Sequence, residues 1–270
     1  MEIKVIIAAH KQYPMPDKDC YLPVQVGRAL HPDVGYIPDN TGDNISEKNP
    51  YYCELTGLYW AWKNLPADVI GLVHYRRYIG KKNGIVGLIQ RYRNPFGSIL
   101  DGKDIERLMK KSDIILPKRR KYYIETLYSH YAHTHYAEHL DITREVLKQI
   151  CPEYVTAFDR VMKRTSGHMF NMFIMKREKC NEYCDFLFPV LSELEKRIDV
   201  TKLSSFHARV FGRISELLLD VWIETNGESY VEAPLVNIEK TNWVKKGSAF
   251  LKAKFEKKKY EGSFSLQNEG

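Results

Sequence analysis

Short apolar runs alternating with helical segments constrain this chain more than any other feature. Ile3 to Ala9, Val69 to Val73 and residues 113 to 117 are rich in branched apolar residues, and each is too short for a buried helix. They read as buried strands. Between the first two, Tyr51, Glu54, Leu55, Leu58, Tyr59 and Trp62 recur at helical spacing, which predicts a helix over 50–64. Asn49 reads as its N-cap, with Pro50 at the first helical position. Residues 104–111 read as another helix. Strand–helix–strand alternation predicts a parallel α/β sheet. Residues 12–34, rich in Pro and Asp, read as loop, and Gly80 to Gly102, basic and Gly-containing, as a mobile loop. Further along, the chain reads as helix from Tyr128 to Leu147, strand at 169–175, helices at 180–199 and 205–225, and a short strand at 230–232.

The 270 residues are 44% hydrophobic and 28% charged, ordinary for a globular protein. The residues divide into a domain at 1–240 and a basic tail at 241–270. The tail carries seven Lys and one Glu between Lys245 and Lys259, interleaved with Phe250, Leu251 and Phe255. Such a segment can lie on an anionic membrane surface, or it can be a solvated tail. Five Cys without a Cys-x-x-Cys pair argue for reduced thiols. No apolar signal run opens the chain and no segment reaches spanning length, so a cytoplasmic location is expected. The net charge of +7 implies an anionic partner. Nucleic acid is not favoured, because the basic residues form no recognisable binding motif.

Two polar constellations carry the functional reading. The run Asp39-Asn40-Thr41-Gly42-Asp43-Asn44-Ile45-Ser46-Glu47-Lys48-Asn49 opens the predicted helix. Asp39, Asp43 and Asn44 could take ribose or sugar hydroxyls, and Lys48 a phosphate beside free helix amides. The alternative is a loop that satisfies its own backbone. The second constellation, His74-Tyr75-Arg76-Arg77-Tyr78, follows a strand, as does His10, and open α/β sheets bind ligands at the carboxyl ends of strands. Period-two spacing puts His74 and Arg76 on one side and Tyr75 and Arg77 on the other. His74 and Arg76 would stabilise a leaving diphosphate. Arg77 would join that site or tie the sheet to a helix. Glu216, an isolated acid on an otherwise apolar helix, is the first candidate for a general base, or else it pairs with Arg213. Asp141 and Glu138 are weaker candidates. His130, His133, His135 and His139 lack the Glu that a metalloprotease pattern needs, and suggest a His- and Tyr-rich lip over an acceptor sugar. The only Asp-x-Asp, Asp17-Lys18-Asp19, reads as an exposed turn. The cationic cluster therefore predicts metal-independent chemistry. No cofactor is assigned, with a divalent cation, Mn²⁺ or Mg²⁺, left open.

These motifs resemble a bacterial family of capsular and exopolysaccharide glycosyltransferases long catalogued as a domain of unknown function. The matching stretches are Ala8–Lys11, Gly42–Ser46, Cys53–Asn64, His74–Tyr78, Asn171–Met175 and Glu182–Phe188. The resemblance runs from about residue 3 to about residue 240. It implies a GT-A-like, Rossmann-like mixed sheet flanked by helices, with a helical C-terminal part. It also implies transfer of a hexose, galactofuranose or galactose, from a UDP-sugar to a growing surface polysaccharide on a lipid-linked or oligosaccharide acceptor. Asn171 resembles the Asn with which such enzymes shape the donor sugar pocket. An inverting transfer at the inner membrane face is the leading expectation, and a non-catalytic carbohydrate- or lipid-binding module is the alternative.

Overall fold

The computed structural model describes residues 1–81 and 84–239; the basic tail at 241–270 lies outside them. The first strand, β1 (Ile3–Ala9), is flanked by β2 (Tyr21–Gln25) and β4 (Val69–His74), both parallel to it, and β3 (Ile37–Pro38) continues beyond β2. α1 (Asn49–Tyr52) and α2 (Leu55–Asn64) connect β3 to β4. β5 (Arg77–Ile79) turns back antiparallel to β4, and α3 (Gly84–Arg93) and α4 (Gly102–Met109) lead to β6 (Ile114–Pro117). A small ribbon joins β7 (Arg120–Lys121) to β8 (Ser166–Gly167), enclosing α5 (Leu127–Thr134), α6 (Ala137–Ile150) and α7 (Val155–Met162). β9 (Phe173–Lys176) then inserts between β4 and β6, antiparallel to both. α8 (Arg177–Glu195) and α9 (Val210–Thr225) precede β10 (Val231–Ala233) and β11 (Leu235–Asn237). The main sheet runs β10-β6-β9-β4-β1-β2-β3, with β11 and β5 as a side branch.

The alternation along β1 splits the core in two. Ile6 and Ala8 face the layer holding α2, α6, α7, α8 and α9, whereas Val5 and Ile7 face Tyr21, Tyr78, Ile105 and Met109. Burying a branched side chain of this kind stabilises the fold by about 1.5–3 kcal/mol. Gly71 sits where β1 and β9 crowd β4, and a Cβ there would come within 2.9 Å of Val5.

Several expectations are corrected. Residues 12–34 are not all loop, because β2 lies within them. Its Pro23 obscures the pattern, but Pro23 pairs only with Ile7, since β3 reaches no further than Val24. The missing amide therefore faces an open edge. The helix over 50–64 is broken at Cys53, whose φ of 55° is left-handed, and Asn49 is the first helical residue, not the cap. The stretch 80–102 holds α3 and a 3-10 turn instead of a loop. A capping box between Asp101 and Asp104 starts α4 before residue 104. The His-rich segment is two helices broken at His135 and Tyr136. Among the described residues, no helix is long and apolar enough to cross a membrane.

Candidate active site

β4 ends at His74, and the chain reverses over Tyr75 and Arg76 so that His74 pairs directly with Arg77. Directly opposed residues of an antiparallel pair share a face. His74 and Arg77 therefore stand together, and the expected pairing of His74 with Arg76 fails because the strand has ended. Arg76 turns to the Tyr75 ring, 5.0 Å away, and to Glu239, at 3.3 Å. His10, just past the end of β1, packs edge-on against the same Tyr75. Burial, then Lys11, Arg76 and Arg209, hold His10 below its ordinary value.

The turn entering β9 is the centre of the site. Phe170 and Asn171 are both left-handed, at φ 78° and 53°. Such conformations cost of order 1–3 kcal/mol each and persist only when their surroundings impose them. The surroundings are specific. The Phe170 amide donates to Glu216 Oε2 at 3.1 Å. Its carbonyl lies 2.6 Å from His74 Nε2, and since a carbonyl only accepts, that nitrogen carries the proton. Asn171 Nδ2 donates to Glu54 Oε1 at 2.6 Å and to the Gly212 carbonyl at 2.8 Å, while Ser215 donates to Asn171 Oδ1. Left-handed Cys53 ends α1 and delivers Glu54 to the N-terminus of α2.

Around these carboxylates stand four arginines. Arg77 covers the Phe170 ring at 4.6 Å, Arg120 approaches it at 6.0 Å, and Arg213 covers Phe206 at 4.4 Å. Arg209 Nε donates to Cys53 Sγ at 3.1 Å. Arg209 and Arg213, one helical turn apart, mark the N-terminal end of α9, where the helix dipole is also positive. Among the described residues, none of the four makes an ion pair. Burial, then Arg76, pulls Arg77 below its ordinary value, and burial, then Arg209, does the same to Arg213. Burial, then the charge of Glu54, pushes Glu216 above the usual carboxylate range. Burial lowers His74 more than the charge of Glu54, 3.9 Å away, raises it.

A cavity of about 160 Å³ opens beside Glu216 and Arg213, lined also by Arg120, Tyr122, His130 and His135. His133 pairs with Glu125, and His139 turns to Tyr131. A wider, shallower depression of about 460 Å³ lies behind α2, where Arg177 is spent on the carbonyls of Trp62, Leu65 and Ala67. It holds no comparable chemistry.

The polar run is placed differently. Asp39 is fully buried and accepts from the amides of Gly27 and Arg28 and from Ser46 Oγ. Asp43 accepts from Tyr59, and Asn44 bridges Gly42 and Ser46. The Asp43 backbone is held by Asn64, at the end of α2 about 15 Å along its axis from Glu54. Lys48 pairs with Glu195 at 2.6 Å. Of the ten residues singled out from sequence, His74, Arg77, Asn171 and Glu216 come together. His10 and Arg76 stand beside Tyr75, and Asp39, Asp43, Asn44 and Lys48 make contacts of their own. Glu54, Arg120, Arg209 and Arg213 were missed as site residues. Glu54 hid in a helical pattern, whereas Arg209 and Arg213, spaced i, i+4 and followed by Glu216, gave a usable signal.

The model of a family described as a domain of unknown function, DUF4422, matches residues 4–227. The chain belongs to that family. No curated protein matches the sequence. Among solved structures, the apo form of WbbM, a bifunctional glycosyltransferase, is similar, with a TM-score of 0.79 and 29% identity over 89% of this chain and 46% of that one. This chain thus spans about half the length of that protein. The GT-A-like α/β architecture expected from sequence is the one observed. Among the described residues, no group of three or more His, Cys, Asp or Glu side chains could hold a metal ion.

Proposed function

We propose that this protein is a glycosyltransferase that moves a hexose from a UDP-sugar to a saccharide acceptor. The observation that carries this reading is the set of four arginines, without ion pairs among the described residues, around two carboxylates at the strand ends. Arg77, Arg209, Arg213 and the N-terminal end of α9 hold the diphosphate. Their charge is in place before the reaction, so it stabilises the leaving group without reorganisation. The acceptor oxygen bonds to the anomeric carbon while the bond from that carbon to the phosphate oxygen breaks, its electron pair leaving on the diphosphate. Glu216 takes the acceptor proton. Burial and the charge of Glu54 raise its affinity for protons, the direction that favours a general base. Glu54, fixed by Asn171, opposes the positive charge that develops at the anomeric carbon. His74 positions the Phe170 turn that carries these contacts. His10 and Arg76, beside Tyr75, extend the site toward the nucleotide.

An inverting outcome follows from a single displacement of this kind. The sequence resemblance supports galactofuranose or galactose as the hexose, a lipid-linked or oligosaccharide acceptor of a surface polysaccharide, and a place at the cytoplasmic membrane face. The test is UDP release from a panel of UDP-sugars, with and without Mn²⁺, by the parent chain and by Arg213→Ala. Turnover with one donor, lost in the variant, supports the reading. Donor-independent behaviour, with neither turnover nor thermal stabilisation by UDP, leaves the carbohydrate- or lipid-binding module. The Mn²⁺ comparison decides whether a divalent cation takes part.

A further inference from the structure

From Tyr75 to Leu100 the chain contains no acidic residue, and its basic residues include Arg76, Arg77, Lys81, Arg91 and Arg93. Its middle is α3, on which Gly87 is the buried residue. At 3.6 residues per turn, Leu88, Tyr92, Ile85 and Ile89 fall within an arc of roughly 100°. These side chains are 61%, 71%, 78% and 49% exposed, and the adjoining Val86 is 69% exposed. A helix of a globular protein turns such a stripe inward. Here the stripe turns outward, and Gly87, on the opposite side, is buried. Arg91 falls beyond one flank of the stripe and Arg93 beyond the other. The excursion is pinned at its base, where Gly80 bridges Ile99 and Lys81 pairs with Asp101 and Asp104.

We propose that α3 is an interfacial anchor that lays its apolar stripe into the surface of an anionic bilayer. The choice of occupant rests on charge. Flanking arginines with flexible stems can reach a headgroup layer while the stripe enters the acyl boundary. Tyr92 suits the same level, because its ring is apolar and its hydroxyl polar. The missing acids remove the repulsion that an anionic surface would otherwise exert. A second copy fits less well: packing two such stripes together brings the arginine flanks of both helices face to face with no acid on either. This contact does not depend on the arginine-lined site or on the tail.

The experiment uses the full chain and vesicles of phosphatidylcholine, alone or mixed with phosphatidylglycerol. Co-sedimentation is expected with the mixed vesicles and to fall on the order of tenfold in Leu88→Ser/Ile89→Ser, whose altered side chains are exposed. In Tyr92→Trp, emission beyond that of the parent chain should be quenched by brominated phospholipids. Undiminished sedimentation of the double variant, absence of that quenching in Tyr92→Trp, or absence of vesicle binding by the parent overturns the proposal. Loss of a dimer in the double variant, with vesicle binding unchanged, overturns it in favour of self-association. If the double variant fails to fold, quenching in Tyr92→Trp alone decides. UDP-sugar turnover without vesicles should be unchanged in both variants, which separates this proposal from the assignment of the reaction.

Discussion

Two regions of this molecule bring polar and charged side chains together and are opposite in structure. The run from Asp39 to Asn49 is satisfied within the fold: Asp39 accepts from the backbone of Gly27 and Arg28, Asn44 closes its own turn, and Lys48 pairs with Glu195. The corner formed by Glu54, His74, Arg77, Phe170, Asn171, Arg209, Arg213 and Glu216 does the reverse. Among the described residues, it holds cations without ion pairs, a carboxyl pushed toward its proton, and left-handed residues without glycine's freedom. Polar density marks the first region, and unbalanced charge with backbone strain marks the second. Only the second kind of excess is left over for a ligand.

The largest effect should come from the cations. Arg209→Ala/Arg213→Ala is expected to lower UDP-sugar turnover by on the order of 10³-fold or more, while leaving the melting temperature near that of the parent. Turnover within tenfold of the parent would erase the distinction between the two regions. Glu216→Gln should lower kcat by about 10²–10⁴-fold with little change in donor binding. Its stability should move the other way. Because the carboxyl is held above its ordinary value, the folded chain binds more protons than the unfolded chain between the two pKa values. Stability then falls as pH rises through that window. The uncharged Gln avoids this loss, so the variant should melt higher than the parent at neutral pH, with the gap closing at acid pH. A lower melting temperature at every pH would remove Glu216 from the strained region. Asp39→Ala should cost about 3 kcal/mol or more, measured by denaturant unfolding, because it orphans two amides and the Ser46 hydroxyl. Any folded fraction should retain turnover; if that fraction were inactive, the polar run would belong to the site after all. Asp43→Ala is the smallest change, about 1 kcal/mol or less and no effect on donor KM, since it loses one exposed hydrogen bond from Tyr59.

The fold was legible where periodicity was clean. Ile3–Ala9 and Val69–Val73 are strands because branched apolar residues alternate between two buried faces, and no proline or glycine cluster interrupts them. β2 escaped because Pro23 imitates a loop, and α3 because its apolar face turns away from the core. The site was half legible. His74 and Arg77 were visible as an unusual cluster, but their shared face depended on a reversal at Tyr75 and Arg76 that strand periodicity does not encode. The left-handed conformations of Cys53, Phe170 and Asn171 leave no trace in residue type. Glu54 owes its place to one of these, and Arg209 and Arg213 belong to a helix whose start becomes plain only from its packing.

The insertion of β9 between β4 and β6 also orders events during synthesis. Until Lys176 has emerged from the ribosome, β4 has a fully buried apolar strand on one side and an unmet ladder on the other. A nascent chain in that state offers an edge that other chains can pair with. The four residues that close this gap follow Phe170 and Asn171 with only Met172 between, so filling the gap between β4 and β6 also sets the turn to which Glu54, His74 and Glu216 bond. A chain stalled upstream of it has neither a sealed centre nor the turn to which Glu54, His74 and Glu216 bond.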